Sequence, residues 1–274
     1  QNGYGQCNVP AGFTDVVAIA AGEYQSLALR SDGTVVGWGS DWWEGAPGIV
    51  PTDISNIVAI SAGPRHSLAL RADGTVAAWG DNPYGQCNVP GDAADVIALA
   101  AGYNHSLALK TDGTVIMWGL NDLGQCNVPE NLSEVEAIAS GYFHTLALKT
   151  DGTVVAWGYN YYGQCNVPEN LTDIVAVATG YGHSLALKAD GTVVAWGYNS
   201  YGQCDVPADL TDVTAISAGY YHSLALKADG TVVVWGSPYN NDLYNIPAGL
   251  KDVVAISAGG YHNLALVGPP KEVV

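Results

Sequence analysis

Residues 173–211 read DIVAVATGYGHSLALKADGTVVAWGYNSYGQCDVPADLT, and the rest of the chain repeats this stretch with small changes. Successive copies begin 39 to 41 residues apart. They open at Asp15, Asn56, Asp95, Glu134, Asp173, Asp212 and Asp252. Such a regular period indicates one supersecondary unit that is stacked on itself.

Each copy contains three short segments typical of β-strands. In the copy quoted above, residues 175–178 and 185–187 alternate large and small side chains, and residues 192–196 are β-branched and aromatic. Asp190-Gly191 lies between the second and third segments, where the pair would supply the positive φ angles of a tight hairpin. Antiparallel sheets set around an axis cover one another's faces. The sequence therefore predicts an all-β fold, a seven-bladed β-propeller.

The two ends of the chain share one copy of the repeat. Residues 1–14 match the end of a copy, and residues 252–274 match its beginning. We therefore expect a single propeller domain over residues 1–274, with a seventh blade closed by both termini and no free sheet edge. The last copy stops where Ala-Trp-Gly follows in the others, and the chain begins at Gln1. On this basis we also expect the chain to be part of a longer parent.

Composition narrows the range of partners. The net charge is −17, which opposes binding to nucleic acid or to an anionic membrane surface, since both require Lys and Arg. No apolar run of eighteen residues is present, so we expect no membrane insertion. The five cysteines occupy the same position in different copies and are expected to be buried free thiols: Cys7, Cys87, Cys126, Cys165 and Cys204.

The repetition of the polar residues indicates a structural role rather than a catalytic one. Six copies carry a histidine at the start of the second strand, and the copy that opens at Asp15 has Gln25 there instead. A catalytic site needs differently tuned partners at one unique place, whereas every polar motif here recurs. We expect the histidines to form structural hydrogen bonds and the Trp-Gly tryptophans to pack between blades. No catalytic residue, metal site or cofactor is predicted.

The residues that vary between copies point to one end of the wheel. They are the pair before each histidine and the loop after Trp-Gly, which an up-and-down blade places on the same side. The Asp-Gly hairpins, with their Lys and Arg residues, lie on the other. Tyr and Trp are enriched at binding hot spots. The candidate partner-binding residues are Tyr24, Trp42, Trp43, Arg65, Tyr84, Asn104, Asp122, Phe143, Tyr161, Tyr162, Tyr201, Tyr221 and Tyr261.

The phrase Gly-x-x-His-Ser-Leu-Ala-Leu-Lys-x-Asp-Gly-Thr-Val-x-x-Trp-Gly resembles the regulator of chromosome condensation repeat family along the whole chain. That resemblance implies seven blades closed by both termini. The founding member is a nucleotide exchange factor that binds chromatin, but its repeats are longer. This acidic chain shows no insertion similar to the exchange loop, so we do not predict exchange activity.

The short repeats look most like those of the propeller-type β-lactamase inhibitory proteins. That resemblance implies aromatic contacts before the histidine position, matched here by Tyr24, Asn104, Phe143, Tyr221 and Tyr261. It implies a second set of contacts in the loops after Trp-Gly, matched by Trp43, Tyr84, Asp122, Tyr161, Tyr162 and Tyr201. Arg65 and Gly182 stand where that family's pattern would place an aromatic residue.

The expected function is a secreted, non-enzymatic, protein-binding propeller, specifically an inhibitor of a β-lactamase or a related penicillin-recognising enzyme. Two alternatives stay open. A lectin-like module would stack sugar rings on tyrosine and tryptophan, and it would present equivalent pockets between blades. A structural repeat domain of a larger secreted or surface protein would need no binding face of this kind.

Overall fold

Each copy of the repeat folds into an antiparallel sheet whose strands follow the alternating pattern. The computed structural model describes residues 1–39, 48–236 and 244–268. The strands are β1 (Val16–Ala21), β2 (Gln25–Arg30), β3 (Val35–Gly39), β4 (Ile57–Ala62), β5 (His66–Arg71), β6 (Val76–Gly80), β7 (Val96–Ala101), β8 (His105–Lys110), β9 (Val115–Gly119), β10 (Val135–Ser140), β11 (His144–Lys149), β12 (Val154–Gly158), β13 (Ile174–Thr179), β14 (His183–Lys188), β15 (Val193–Gly197), β16 (Val213–Ala218), β17 (His222–Lys227), β18 (Val232–Gly236), β19 (Val253–Ala258) and β20 (Asn263–Val267).

The strands pair in chain order within each copy. Six copies form three-stranded sheets, as predicted, and within the described residues the seventh copy forms the two-stranded sheet β19–β20. The middle strand of each three-stranded blade is the most buried, because it has a strand on either side and a neighbouring blade on either face. In β14, Leu185 and Ala186 are fully buried and Leu187 is 3% exposed. The second strand of each copy is therefore the core of its blade.

The seven sheets form a closed ring around an axis. The first strand of every blade lies innermost and contacts the first strands of both neighbours, and β19 contacts β1 to complete the circle. At that junction the amide of Gly260 donates to the carbonyl of Gly22 at 2.9 Å. The amino terminus of Gln1 donates to the carbonyl of Tyr261 at 2.7 Å. The predicted seven-bladed propeller, with its closure by both termini, is confirmed.

The histidines join each blade to the next. Each Nε2 lies 2.7 to 3.1 Å from a serine or asparagine oxygen of the following blade. The pairs are His66–Ser106, His105–Ser140, His144–Ser184, His183–Ser223, His222–Asn263 and His262–Ser26. In the first blade, Gln25 takes this place and donates to the carbonyl of Gly63 at 2.7 Å. The predicted structural hydrogen bonds of the histidines are therefore confirmed.

The Gly-Gln-Cys phrase holds the tryptophan of the next blade. The carbonyl of Gln86 accepts hydrogen bonds from Ser106 Oγ and from Trp118 Nε1, both at 2.8 Å. Since the Ser106 hydroxyl donates to Gln86, it accepts from His66, which fixes the proton of that imidazole on Nε2. Trp118 also packs against Leu68 and Leu70 of the preceding blade, which confirms the predicted packing of tryptophan between blades.

The hairpin between the second and third strands differs from the expectation. Only the glycine of each Asp-Gly pair has a positive φ, for example 82° at Gly191. Asp190 instead accepts a hydrogen bond from the amide of Thr192 at 3.0 Å through its side chain. The loop thus contains three residues, with glycine at the left-handed position, rather than the two-residue turn that the pair suggested.

The residue that opens each copy has a conformational role. All seven have a φ between 56° and 61°, a left-handed conformation in which Asn and Asp are enriched. The carbonyl of Asp173 accepts from the amide of Ala189 at 2.8 Å, which ties the start of β13 to the hairpin after β14. This geometry gives a physical reason why six of the seven copies open with Asp or Asn.

All five cysteines are free, as predicted, but the prediction that they are buried is wrong. Cys7 is exposed and the other four are only partly buried. Burial raises the pKa of Cys126 and Cys165 to about 11. Burial, with a neighbouring aspartate, raises the pKa of Cys87 and Cys204 to about 12.

Candidate functional site

Two sets of loops meet at one end of the ring. The loop between the first and second strands of a blade contacts the loop after its third strand through the backbone. The amide of Asp81 donates to the carbonyl of Arg65 at 2.9 Å, and the amide of Tyr159 donates to the carbonyl of Phe143 at 2.9 Å. The blades therefore place both variable loop sets on the same side, as the strand order predicted.

Aromatic side chains from these loops form one continuous cluster, which we call the aromatic surface. Each ring lies within 6.3 Å, centroid to centroid, of at least one other. Its members are Tyr103, Tyr142, Phe143, Tyr159, Tyr161, Tyr162, Tyr181, Tyr198, Tyr201, Tyr220, Tyr221 and Tyr261. The cluster spans the third to the seventh blade, so it does not follow the symmetry of the repeat.

Tyrosines cover the axis at this end. Tyr142 and Tyr220 come from blades that are not neighbours, yet their ring centroids lie 5.4 Å apart. Beneath them is a cavity of about 100 Å³ whose lining includes Glu23, Tyr142, Tyr181 and Tyr220. Glu23 is 8% exposed and contributes a carboxyl group to this cavity. The aromatic surface is therefore continuous across the centre of the ring rather than opening into a wide channel.

Burial and neighbouring acidic groups keep these phenols neutral. Burial is the main cause that raises the pKa of Tyr220, and the charge of Glu23 adds to it. Burial is also the largest cause for Tyr142, followed by its contact with Tyr103. The pKa of Tyr221 is raised to about 12. Near neutral pH these rings thus offer hydroxyl groups and apolar faces, but no phenolate nucleophile.

Six copies of the chain match a family model described as the regulator of chromosome condensation (RCC1) repeat. The matched residues are 16–41, 57–86, 96–125, 135–164, 174–203 and 213–242. This protein belongs to the RCC1 repeat family. No curated protein matches the chain.

Solved structures share the fold of this RCC1-repeat protein at low sequence identity. Prp20p from Saccharomyces cerevisiae has a TM-score of 0.79 and 21% identity, covering 96% of this chain and 85% of that one. The receptor kinase CR4 ectodomain from Physcomitrella patens has a TM-score of 0.76 and 23% sequence identity, covering 93% of this chain and 72% of that one. Human WBSCR16 has a TM-score of 0.74 and 21% sequence identity, covering 95% of this chain and 89% of that one. At these identities the similarity establishes the propeller fold alone.

The structure of the RCC1-repeat protein brings together six of the predicted partner-binding residues. These six belong to the aromatic surface: Phe143, Tyr161, Tyr162, Tyr201, Tyr221 and Tyr261. Tyr161 is the most accessible, with 78% of its surface exposed. The residues lie on blades four to seven, and Tyr261 of the seventh blade lies 5.1 Å from Tyr220 of the sixth.

The other predicted residues that the structure describes lie outside this cluster. Tyr24 packs against Tyr4 at 4.5 Å, and Tyr84 and Asp122 are exposed in their loops. Asn104 is wrongly predicted as a surface residue. It is 5% exposed, because its side chain points inward and accepts from Gln86 Nε2 at 3.5 Å. Trp42 and Trp43 lie outside the described residues.

Arg65 is anchored next to the aromatic surface. Its guanidinium lies 5.3 Å from the centroid of Tyr103 and 3.4 Å from Asp81 Oδ2. The ion pair is largely exposed and contributes at most about 1 kcal/mol to stability. Its main effect is therefore to hold the guanidinium in place. A fixed positive charge at the edge of an aromatic cluster can pair with one carboxylate of a partner.

Sequence reasoning missed half of the aromatic surface. The omitted residues are Tyr103, Tyr142, Tyr159, Tyr181, Tyr198 and Tyr220. Four of them are the first residue of the pair before a histidine, and the structure directs most of these first residues toward the axis. The second residue of the pair faces the loop after Trp-Gly. Counting aromatic residues at both positions of the pair would have found these four, whereas Tyr159 and Tyr198 directly follow Trp-Gly.

Neither metal ligands nor membrane segments stand out in the parts of the chain that the structure describes. No group of three His, Cys, Asp or Glu side chains within residues 1–39, 48–236 and 244–268 could hold a metal ion. The same residues contain no helix of the length and apolarity needed to cross a membrane.

Proposed function

We propose that this chain is a secreted, non-enzymatic protein-binding propeller that holds one partner against the aromatic surface. The observation that carries the proposal is the single connected cluster of twelve aromatic residues at one end of a closed ring. Tyrosine gives a large contact area at a low entropic cost, and it is enriched at binding hot spots.

The asymmetry of the cluster supports a single protein partner rather than repeated small ligands. Among the residues that the structure describes, blades three to seven carry the connected rings, whereas the first two blades present Tyr24, Arg65 and Tyr84. A repeated sugar site would need equivalent pockets between successive blades. The net charge of −17 further favours a partner with exposed positive charge.

Related folds give a general precedent for binding proteins. The structure of Prp20p is described together with its binding properties to Gsp1p and histones, and another Prp20 structure contains Kap60. Our more specific proposal is inhibition of a class A β-lactamase or a related penicillin-recognising enzyme. Its support is the sequence pattern of the two loop sets, which resembles the inhibitory propellers.

The inhibitor proposal is tested by nitrocefin hydrolysis. A panel of class A β-lactamases is assayed with increasing amounts of the full chain, and binding to penicillin-binding proteins is followed in parallel by biolayer interferometry. We expect a dose-dependent loss of hydrolysis for at least one enzyme. Unchanged rates and no binding across the panel would reject the inhibitor proposal. Binding to a glycan array in that case would favour the lectin-like alternative.

A further inference from the structure

We propose that the axial cavity beneath the aromatic surface binds an alkylammonium group, which pairs with the carboxyl group of Glu23 and is enclosed by tyrosine rings. The cavity has a volume of about 100 Å³, and Glu23 is the only charged residue among its described lining residues. The site lies at the centre of the aromatic surface, but it needs no enzyme as a partner and so goes beyond the proposed function.

One position of the repeat builds this cavity, and that position varies from blade to blade. It is the first residue of the pair before each histidine, or before Gln25 in the first blade. Its occupants are Glu23, Pro64, Tyr103, Tyr142, Tyr181, Tyr220 and Gly260. All of them except Tyr103 line the cavity. The repeat thus places one carboxyl group among tyrosine rings at a single point of the propeller, which is the kind of unique arrangement that a binding site requires.

The carboxyl group of Glu23 is buried without a cationic partner. Glu23 is 8% exposed, and no ion pair within residues 1–39, 48–236 and 244–268 includes it. Arg65, in the next blade, forms its ion pair with Asp81 at 3.4 Å instead. Burial of a carboxylate is unfavourable unless a cation or hydrogen bonds compensate for the lost water. A cation that enters the cavity would supply this compensation.

Three tyrosine rings surround the space next to Glu23. The ring centroids of Tyr142 and Tyr181 lie 4.7 Å apart, those of Tyr142 and Tyr220 lie 5.4 Å apart, and those of Tyr181 and Tyr220 lie 6.1 Å apart. Glu23 and Tyr220 flank Gly260, where an added Cβ would lie 3.1 Å from Glu23 Cγ and 3.3 Å from Tyr220 Cε2. Aromatic faces attract cations within about 6 Å, and cages of such rings recognise ammonium groups.

The hydroxyl of Tyr220 is a second group that lacks a partner in the cavity wall. Tyr220 is 8% exposed, and its Oη forms no hydrogen bond of standard geometry with a described residue. Burial raises the pKa of Tyr220, and the charge of Glu23 raises it further, so the hydroxyl lies near that carboxyl group. An ammonium group bound to Glu23 can donate a hydrogen bond to this oxygen, which would otherwise stay buried and unsatisfied.

Space for an alkyl chain lies further along the axis. The cavity shares the last residue of every first strand with a second space of about 280 Å³. These shared residues are five alanines together with Ser140 and Thr179. The second space is also lined by apolar residues such as Ile60 and Leu99. Small and apolar walls suit an unbranched alkyl chain, which favours a free alkylamine over a lysine side chain that a protein partner inserts from outside.

The test follows the amide signals of Tyr220 and Gly260 by NMR while the full chain is titrated with n-butylammonium chloride at constant ionic strength. We expect saturable shifts with a Kd of about 1 mM, since so few atoms limit the affinity, and no saturable shifts with the neutral analogue 1-butanol. Glu23→Gln keeps the shape of the side chain and should weaken binding at least about 10-fold. Tyr220→Phe, which removes only the buried hydroxyl, should weaken it about 3-fold.

Asp122→Asn is the matched control, because Asp122 is exposed in a loop at the same end and does not line the cavity. It removes the same charge from the chain and should leave the Kd unchanged. The amide spectrum of each variant shows whether it is folded. An equal loss of binding in Glu23→Gln and Asp122→Asn would overturn the proposal, since it would reflect net charge alone. A Kd that neither Glu23→Gln nor Tyr220→Phe changes would overturn it as well.

A blocked peptide, Ac-Gly-Lys-Gly-NH2, distinguishes the two sources of the ammonium group. Tighter binding of n-butylammonium than of the peptide would identify a free alkylamine as the ligand, whereas the reverse order would identify a lysine of a protein partner. Absence of saturable binding by both amines, or equal binding of 1-butanol, would contradict the proposal. No enzyme is present in these titrations, so their failure leaves the inhibitor proposal untouched, and a negative nitrocefin assay leaves this site untouched.

Discussion

Acidification from pH 7 to pH 5 is expected to remove much of the free energy of unfolding, because six buried histidines must gain protons when the chain unfolds. Burial lowers the pKa of His66, His144 and His183 to about 3. It lowers the pKa of His105, His222 and His262 to about 4, from an ordinary value of 6.5. Nδ1 of these rings has no hydrogen-bond partner within the described residues, so a second ring proton would be buried without an acceptor.

The direction of the effect follows from these pKa values. Between about pH 6.5 and pH 4 the unfolded chain binds more protons than the folded chain, so stability is complete above pH 6.5 and falls as the pH decreases. Each histidine can contribute up to about 1.4 kcal/mol per pH unit in this range. Six such contributions are comparable with the whole stability of a typical domain, which is about 5–15 kcal/mol.

Urea unfolding of the wild type and of His183→Gln at pH 7 and pH 5 checks this expectation. Gln25 shows that glutamine is compatible with the position, since it donates to the next blade in the first copy. The variant should lose about one sixth of the pH dependence while staying folded at pH 7. Tyr161→Ala, on the exposed surface, should keep the full dependence. A urea midpoint that does not change between the two pH values would contradict this account.

The substitution Gly141→Ala is expected to destabilise the ring by about 3 kcal/mol or more, because the blades leave no space for a side chain there. An added Cβ would lie 2.5 Å from His144 Cε1 and 2.7 Å from the carbonyl oxygen of Gly180 in the next blade. Neither neighbour can move freely, since His144 is held by Ser184 and Gly180 donates to the backbone of His183.

Gly91→Ala serves as the matched control. Nothing lies within 4 Å of an added Cβ at Gly91, and its φ is not in the left-handed region. Its effect on the free energy of unfolding should stay within about 1 kcal/mol. Thermal and urea unfolding of the two variants give the comparison. Similar stabilities of the two variants would show that close packing around the histidines does not determine the stability of the ring.

The repeat made the fold predictable from the sequence. The spacing of the copies and the matching ends determined seven blades and their closure, because residues 1–14 and residues 252–274 are complementary parts of one copy. The alternation in β14 and the recurrence of Trp196 placed the core correctly. Repetition was informative because a residue assigned to the core in one copy must occupy the same place in every copy. An incorrect assignment would therefore have to be incorrect in every blade.

The candidate site was less predictable, because side-chain direction in a loop does not follow from periodicity. Asn104 turns inward to Gln86, while Phe143 at the same position faces Tyr159 across the loop pair. Tyr142 and Tyr220 meet over the axis from separate blades, a contact that depends on the curvature of the ring. The left-handed conformation at Asp173 was likewise not evident from a pattern of strands.

The most direct measurement of the proposed binding surface compares two triple variants against the panel enzyme that binds the chain most tightly. One carries Tyr161→Ala, Tyr162→Ala and Tyr201→Ala on the aromatic surface. The other carries Lys110→Ala, Lys149→Ala and Lys188→Ala at the opposite end of the ring. We predict that the Kd measured by biolayer interferometry increases at least about 30-fold for the tyrosine variant and less than about 3-fold for the lysine variant. Equal losses, or a loss confined to the lysine variant, would contradict the proposal that the aromatic surface holds the partner.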